Sequence, residues 1–142
     1  MSYPVPILEE QRCAALHSLN LLDSYTDAHL DALTRAVATL YNVPIVAISL
    51  VDKDRQWFKS IYGLDAKETE REVAFCAHTI MSNELHVVVD ALEDSRFREN
   101  PLVTSDPHIR FYAGAPLKLS GGINLGTPVS YTHLTLPTSP KV

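Results

Sequence analysis

Two short apolar runs, Val87–Val89 and Phe111–Leu117, flank a polar stretch too long to be a hairpin loop. Each run is rich in strand formers and bounded by turn residues, so each is predicted to be a buried strand. The stretch between them carries Asp90, Glu93, Asp94, Arg96, Arg98, Asn100 and the prolines Pro101 and Pro107. A connection of this length inside a compact domain usually has structure or function of its own. Asp90, Asp94 and Asn100 have side-chain oxygens suited to capping turns and short helices. The expectation is a lid-like strap across one face of a sheet, with a concave space beneath it.

The rest of the chain supplies that sheet. Ile7 to Leu19 mixes apolar Leu8, Ala15, Leu16 and Leu19 with Glu9, Glu10 and Arg12, an amphipathic helix with acid near its start. A second helix is predicted to begin at a Thr26 or Asp27 cap and to end at Asn42 and Pro44. Its stripe of Leu30, Leu33, Thr34, Val37 and Leu40 reads as core first and as a dimer seam second. Pro44–Val51 reads as a central strand. Asp52-Lys53-Asp54 turns it into a second strand, Arg55–Tyr62, to form an antiparallel hairpin. There Trp57, Lys59 and Ile61 are expected on one side, with Gln56, Phe58 and Ser60 on the other. Val73–Ser82 is predicted to be a helix with two faces. Val73, Cys76, Ala77 and Ile80 suit a sheet, while Phe75, His78, Thr79 and Ser82 suit the wall of a small-ligand pocket. Gly121-Gly122 is a tight turn before a strand start at Ile123–Leu125.

This order, α-α-β-β-α-β-loop-β-β, implies an α+β fold with a central antiparallel sheet flanked by helices. At 142 residues the chain suits one domain. A net charge of -5 argues against a nucleic-acid surface, which needs clustered Lys and Arg. No run approaches a membrane span and no secretory leader is evident, so a cytoplasmic protein with no membrane partner is expected. Two distant cysteines, Cys13 and Cys76, without a CxxC fit a reducing compartment. After Thr127 the chain changes character. PVSYTHLTLPTSPKV is rich in Thr, Ser and Pro. Residues 128–142 are therefore read as an atypical tail, foreign, out of frame or truncated, although Thr132, Leu134 and Leu136 would also alternate as an edge strand.

Several segments, in this order and spacing, resemble a GAF domain. They are LLDS at 21–24, PIVAISLVDKDRQWFKS at 44–60, FCAHTI at 75–80, VVVDALEDSRFRENPLV at 87–103, IRFYAGAPL at 109–117 and GGINLGT at 121–127. The likeness covers residues 5–127 and is nearest to bacterial GAF modules placed ahead of histidine kinases or diguanylate cyclases. It implies a sensory domain that binds an unknown small molecule, performs no catalysis, forms a homodimer through its helices and controls an output domain elsewhere. It further implies a C-terminal strand and helix that this chain lacks. The implied ligand-binding residues are Phe75, His78 and Thr79 from the helix, Asp90, Phe97 and Asn100 from the strap, and Phe111 and Tyr112 from the following strand.

Sharper chemistry finds less support in the residues. Cys76 and His78, two apart on a helix, point apart and cannot share a metal ion. Asp90, Glu93 and Asp94 lack the regular oxygen spacing of a cation loop, so no metal site and no confident cofactor is expected. Cys76 reads as a buried structural thiol. The alternative activity is a free methionine sulfoxide reductase of the GAF type, which would need a cysteine pair near the pocket. The alternative without a ligand is a dimerisation module.

Overall fold

The computed structural model describes residues 3–133. Two helices come first, α1 (Glu9–Ser18) and α2 (Ala28–Tyr41). The start of α2 is capped as expected: the Asp27 carboxylate accepts from the amides of His29 at 2.9 Å and Leu30 at 3.2 Å. Asn42 ends it in the left-handed region, at φ 54°. Then come β1 (Ile45–Val51), β2 (Arg55–Tyr62), the short β3 (Glu68–Glu70), a 3-10 turn at Arg71–Val73 and a single helical turn, α3 (Cys76–Thr79). Edge strand β4 (His86–Val88) leads into the strap. Within it lie a 3-10 turn at Ala91–Glu93 and α4 (Pro101–Thr104). The described residues end with β5 (Ile109–Gly114), β6 (Leu117–Leu119) and β7 (Ile123–His133).

The sheet runs β3-β2-β1-β7-β5-β4, with β6 paired to β7, and every pairing is antiparallel. The fold is thus α+β with a central antiparallel sheet. Long β7 lies in its middle, between β1 and β5; residues 128–131 pair with β1 and residues 129–133 with β5. The boundary expected at Thr127 therefore falls inside a strand. The remainder of the expected tail, 134–142, lies outside the described residues.

Helices α1 and α2 cover one face. There Leu16 packs with Leu50, Trp57 and Leu125. The other face carries the larger core, Ile45, Ala47, Val51, Phe58, Phe75, Phe97, Tyr112, Val129 and Tyr131, closed over by α3 and the strap.

Three expectations need correction. The predicted helix at Val73–Ser82 is a 3-10 turn and one α-turn, because Ala74 between them is extended at φ -80°, ψ 123°. The α2 stripe is not buried as read. Thr34 and Ala38 are inside, whereas Leu33 and Leu40 are 52% and 77% exposed. The helix sits close to β2 through a polar seam, with Thr34 Oγ1 3.0 Å from Ser60 Oγ and Ser60 donating to Asp31 at 2.6 Å, so its leucines project past the sheet. Finally, the β1–β2 register slips between Ile48 and Ser49, leaving Lys59 unpaired in a bulge. Alternation breaks there. Trp57 faces the α1 side while Ile61 packs into the opposite core.

Candidate functional site

The strap is built from short-range capping. Asp90 accepts from the Leu92 amide at 3.1 Å, Asp94 from the Arg96 amide at 2.9 Å, and Asn100 from the Leu102 amide at 2.9 Å. Pro101 follows Asn100 at the first helical position, where its missing N–H costs nothing. Asn100 is buried and also donates its amide to the Val73 carbonyl at 2.9 Å, tying the strap to the turn before α3.

Beneath the strap, side chains converge from the strap itself, α3 and four strands. Phe75 and Phe97 stack with centroids 4.2 Å apart and planes 7° apart. Tyr112 lies 5.2 Å from Phe75 and Tyr131 meets it edge-on at 6.1 Å. His78 meets Phe97 edge-on at 4.8 Å, and the Arg96 guanidinium lies 5.0 Å from the same ring. Threaded through the aromatic cluster is a polar chain. His86 Nδ1 is 2.9 Å from Thr79 Oγ1, which is 2.6 Å from the Tyr112 hydroxyl. Tyr112 in turn donates to Cys76 Sγ at 3.7 Å, where the Thr127 and Ser49 hydroxyls also arrive at 2.8 and 3.0 Å. Gly114 makes room for Tyr112, since a Cβ there would come 2.3 Å from the tyrosine hydroxyl.

Burial sets the charge state of this cluster. It raises the Cys76 thiol, and it raises the Tyr112 and Tyr131 phenols well above their usual range, with the neighbouring Cys76 adding to the effect. The imidazoles go the other way. Burial, then Arg96 and His86, pull His78 down to about 4, with Asp94 opposing. Burial and Arg96 lower His86. Asp94 is held below the usual carboxylate range chiefly by its bond to Arg96. At neutral pH the cluster holds two neutral imidazoles, a neutral thiol and neutral phenols.

Of the expected site residues, Phe75, His78, Thr79, Phe97 and Tyr112 are brought together. Asp90 and Asn100 are taken up by capping. Phe111 alternates with Tyr112 on β5 and shares its side with Ala113, which lines a groove on the α2 face. The space expected to be hollow is filled by Phe75, Phe97 and Tyr112, each at most 1% exposed. The open groove of about 260 Å³ on the α2 face, lined by Leu33, Val37, Val46, Leu85, Ala113 and Ala115, offers little to orient a ligand.

Sequence reasoning missed His86, because β4 was read to begin at Val87. It named Arg96 only as one of the polar residues of the strap. It also missed a clasp between the sheet faces. Glu9 on α1 is gripped by two buried arginines. Arg12 reaches it at 2.9 and 3.1 Å. Arg71, in the turn just before α3, reaches it through both terminal nitrogens, and also donates to the carbonyls of Asp52 at 3.1 Å and Lys53 at 3.2 Å. Desolvation works against the Glu9 carboxylate, but these arginines outweigh it and hold its pKa near 2. Cys13, on α1 beside Glu9, and Cys76, under the strap, lie on opposite sides of the sheet and are both free thiols. Among the described residues no three metal-binding side chains gather. Nor is any helix there long and apolar enough to cross a membrane.

The profile of the GAF domain family matches residues 26–130. A cyclic di-GMP phosphodiesterase of Pseudomonas aeruginosa is 42% identical over 124 residues, 87% of this chain but only 21% of that protein. The chain therefore spans about a fifth of the length of that relative. The fold matches the GAF domain of an Acinetobacter phosphoenolpyruvate-protein phosphotransferase, with a TM-score of 0.58 at 16% identity over 98% of this chain and 83% of the other. It also matches free methionine-R-sulfoxide reductase from Neisseria meningitidis, with a TM-score of 0.59 at 20% identity over 88% of this chain and 74% of the other.

Proposed function

Because the chain belongs to the GAF domain family, we propose that it is the sensory input module of a signalling protein, binding a small molecule under the strap and performing no catalysis itself. The observation that carries this reading is the chain His86–Thr79–Tyr112–Cys76, half-buried at His86 and buried beyond it, set in an aromatic cluster. Hydrogen-bonding groups are costly to bury, and this core holds four of them side by side beneath a segment made of local caps. Phe97 is the plug. It sits on the strap between turn residues, so a ligand that takes its place against Phe75 moves the strap with it. The ligand shifts the balance between plugged and open states only by its preference for the open one.

The Glu9 clasp gives that motion a route. Arg71 stands four residues before Phe75 and grips α1 directly, so a shift of α3 pulls on the helical face. Exposed Ile7, Leu33, Leu40 and Tyr41 make that face the seam of a homodimer. The output domain is one acting on a cyclic dinucleotide, on the strength of the Pseudomonas relative's name. Cys13 and Cys76 lie too far apart across the sheet to work as a reductase pair, so sulfoxide reduction is the weaker reading.

Isothermal titration of a metabolite panel tests the site. A ligand bound under the strap loses at least about tenfold in affinity in Tyr112→Phe or Thr79→Val, one lost hydrogen bond's worth. A ligand indifferent to both variants, or turnover of free methionine sulfoxide that Cys76→Ser abolishes, would overturn the reading.

A further inference from the structure

We propose that His78, His86 and Arg96 form a proton-coupled site for a small oxyanion at the rim of the strap. The inference rests on the sensor reading and names the chemistry of its ligand. All three groups surround one ring. The imidazoles of His78 and His86 lie 4.8 and 6.1 Å from the Phe97 centroid, and the guanidinium carbon of Arg96 lies 5.0 Å from it. They come from α3, β4 and the strap, so their meeting is a product of the tertiary fold.

The second observation is an orphaned atom. His86 Nε2 is buried and has no hydrogen-bond partner. Buried polar atoms left unpaired are rare and ask for a ligand or a water. The other ring nitrogen decides its state. With the Tyr112 hydroxyl donating to Cys76, Thr79 donates to Tyr112 and accepts from His86 Nδ1–H. Nε2 is then a bare acceptor in the neutral ring, and protonation turns it into a donor.

Charge gives the ligand its sign. The charged and titratable groups facing the imidazoles are Asp94 and Arg96 from the strap, Tyr112 from β5, and each other. Asp94 is already paired with Arg96 at 2.7 and 3.0 Å, and Tyr112 is neutral. A proton taken up by either imidazole therefore has no free counter-charge among the described residues. A carboxylate, phosphate or nitrate oxygen supplies it, accepting from Nε2–H and from the partly exposed guanidinium, the group best shaped for oxyanions. Binding of the anion and uptake of the proton reinforce each other.

The test uses the whole chain with sodium phosphate and sodium nitrate as probes, at constant ionic strength. Imidazole 15N shifts and isothermal titration are followed between about pH 5 and 7.5. The expected result is saturable binding that weakens about tenfold per pH unit for each proton taken up. The titration midpoints of His78 and His86 should rise in the presence of the anion. Arg96→Gln, at an exposed position, should weaken binding about tenfold, and His86→Gln should remove the share of the pH dependence that comes from His86, leaving that of His78. Weak binding without pH dependence, unchanged in both variants, means an adventitious ion only and overturns the proposal. So does the absence of any shift in the wild-type imidazole signals, a readout that needs no variant to fold. A neutral ligand that needs Thr79 and Tyr112 but ignores His86 and Arg96 would sink the oxyanion and leave the sensor reading intact.

Discussion

Replacing Glu9 by Gln keeps the side chain's shape and leaves two buried guanidiniums facing an amide. The side chains of Arg12 and Arg71 are 2% and 1% exposed, while that of Glu9 is 18% exposed. Removing one partner of a fully buried ion pair costs about 3–5 kcal/mol, because the survivor keeps its charge without compensation. Water reaches Glu9 and screens part of this, so the expected loss is about 2 kcal/mol. For a domain of this size that lowers the melting temperature by roughly 6 °C. The pH dependence is the sharper signature. The Glu9 carboxylate is depressed in the folded protein from 4.5 to about 2. Its contribution is therefore complete above the unfolded value and is lost as pH falls from 4.5 through about 2. Urea unfolding of both proteins across pH should show a constant gap at neutral pH that closes on acidification through that window. A gap below about 0.5 kcal/mol at neutral pH, within the range of an ordinary surface change, would refute the clasp. A gap that persists unchanged near the folded value would refute the carboxylate as its cause.

Two further substitutions probe the strap and the sheet. Asn100→Ala removes both the α4 cap and the bond to the Val73 carbonyl, so about 2 kcal/mol should be lost, and strap amides should exchange before those of β1 and β7; wild-type exchange in the strap would contradict this. Gly126→Ala sets a Cβ 2.0 Å from the Ser49 carbonyl oxygen and 2.7 Å from the Leu50 Cα, both β1 backbone that cannot yield, and should cost more than about 3 kcal/mol; a soluble variant melting with the wild type would show that β1 and β7 do not approach as described.

What the chain spells out by itself is local. The Asp27 cap, the Asp52–Asp54 turn, the paired strands around it, the caps at Asp90, Asp94 and Asn100, and the Gly121-Gly122 turn, with φ of 87° and 79°, follow from residues a few positions apart. The family likeness rests on the same short segments in order. What only tertiary structure decided is which distant groups meet. Glu9 finds Arg71 across 62 residues, and Thr127 finds Cys76 across 51. His86 meets Thr79 because β4 begins one residue earlier than its apolar run, and one unpaired residue at Lys59 turns Ile61 to the other core. Composition likewise did not tell that Phe97 would fill the space under its own strap. Periodicity and capping act within a turn or two of chain, whereas charge pairing and the filling of a hollow depend on backbones brought together by the whole sheet.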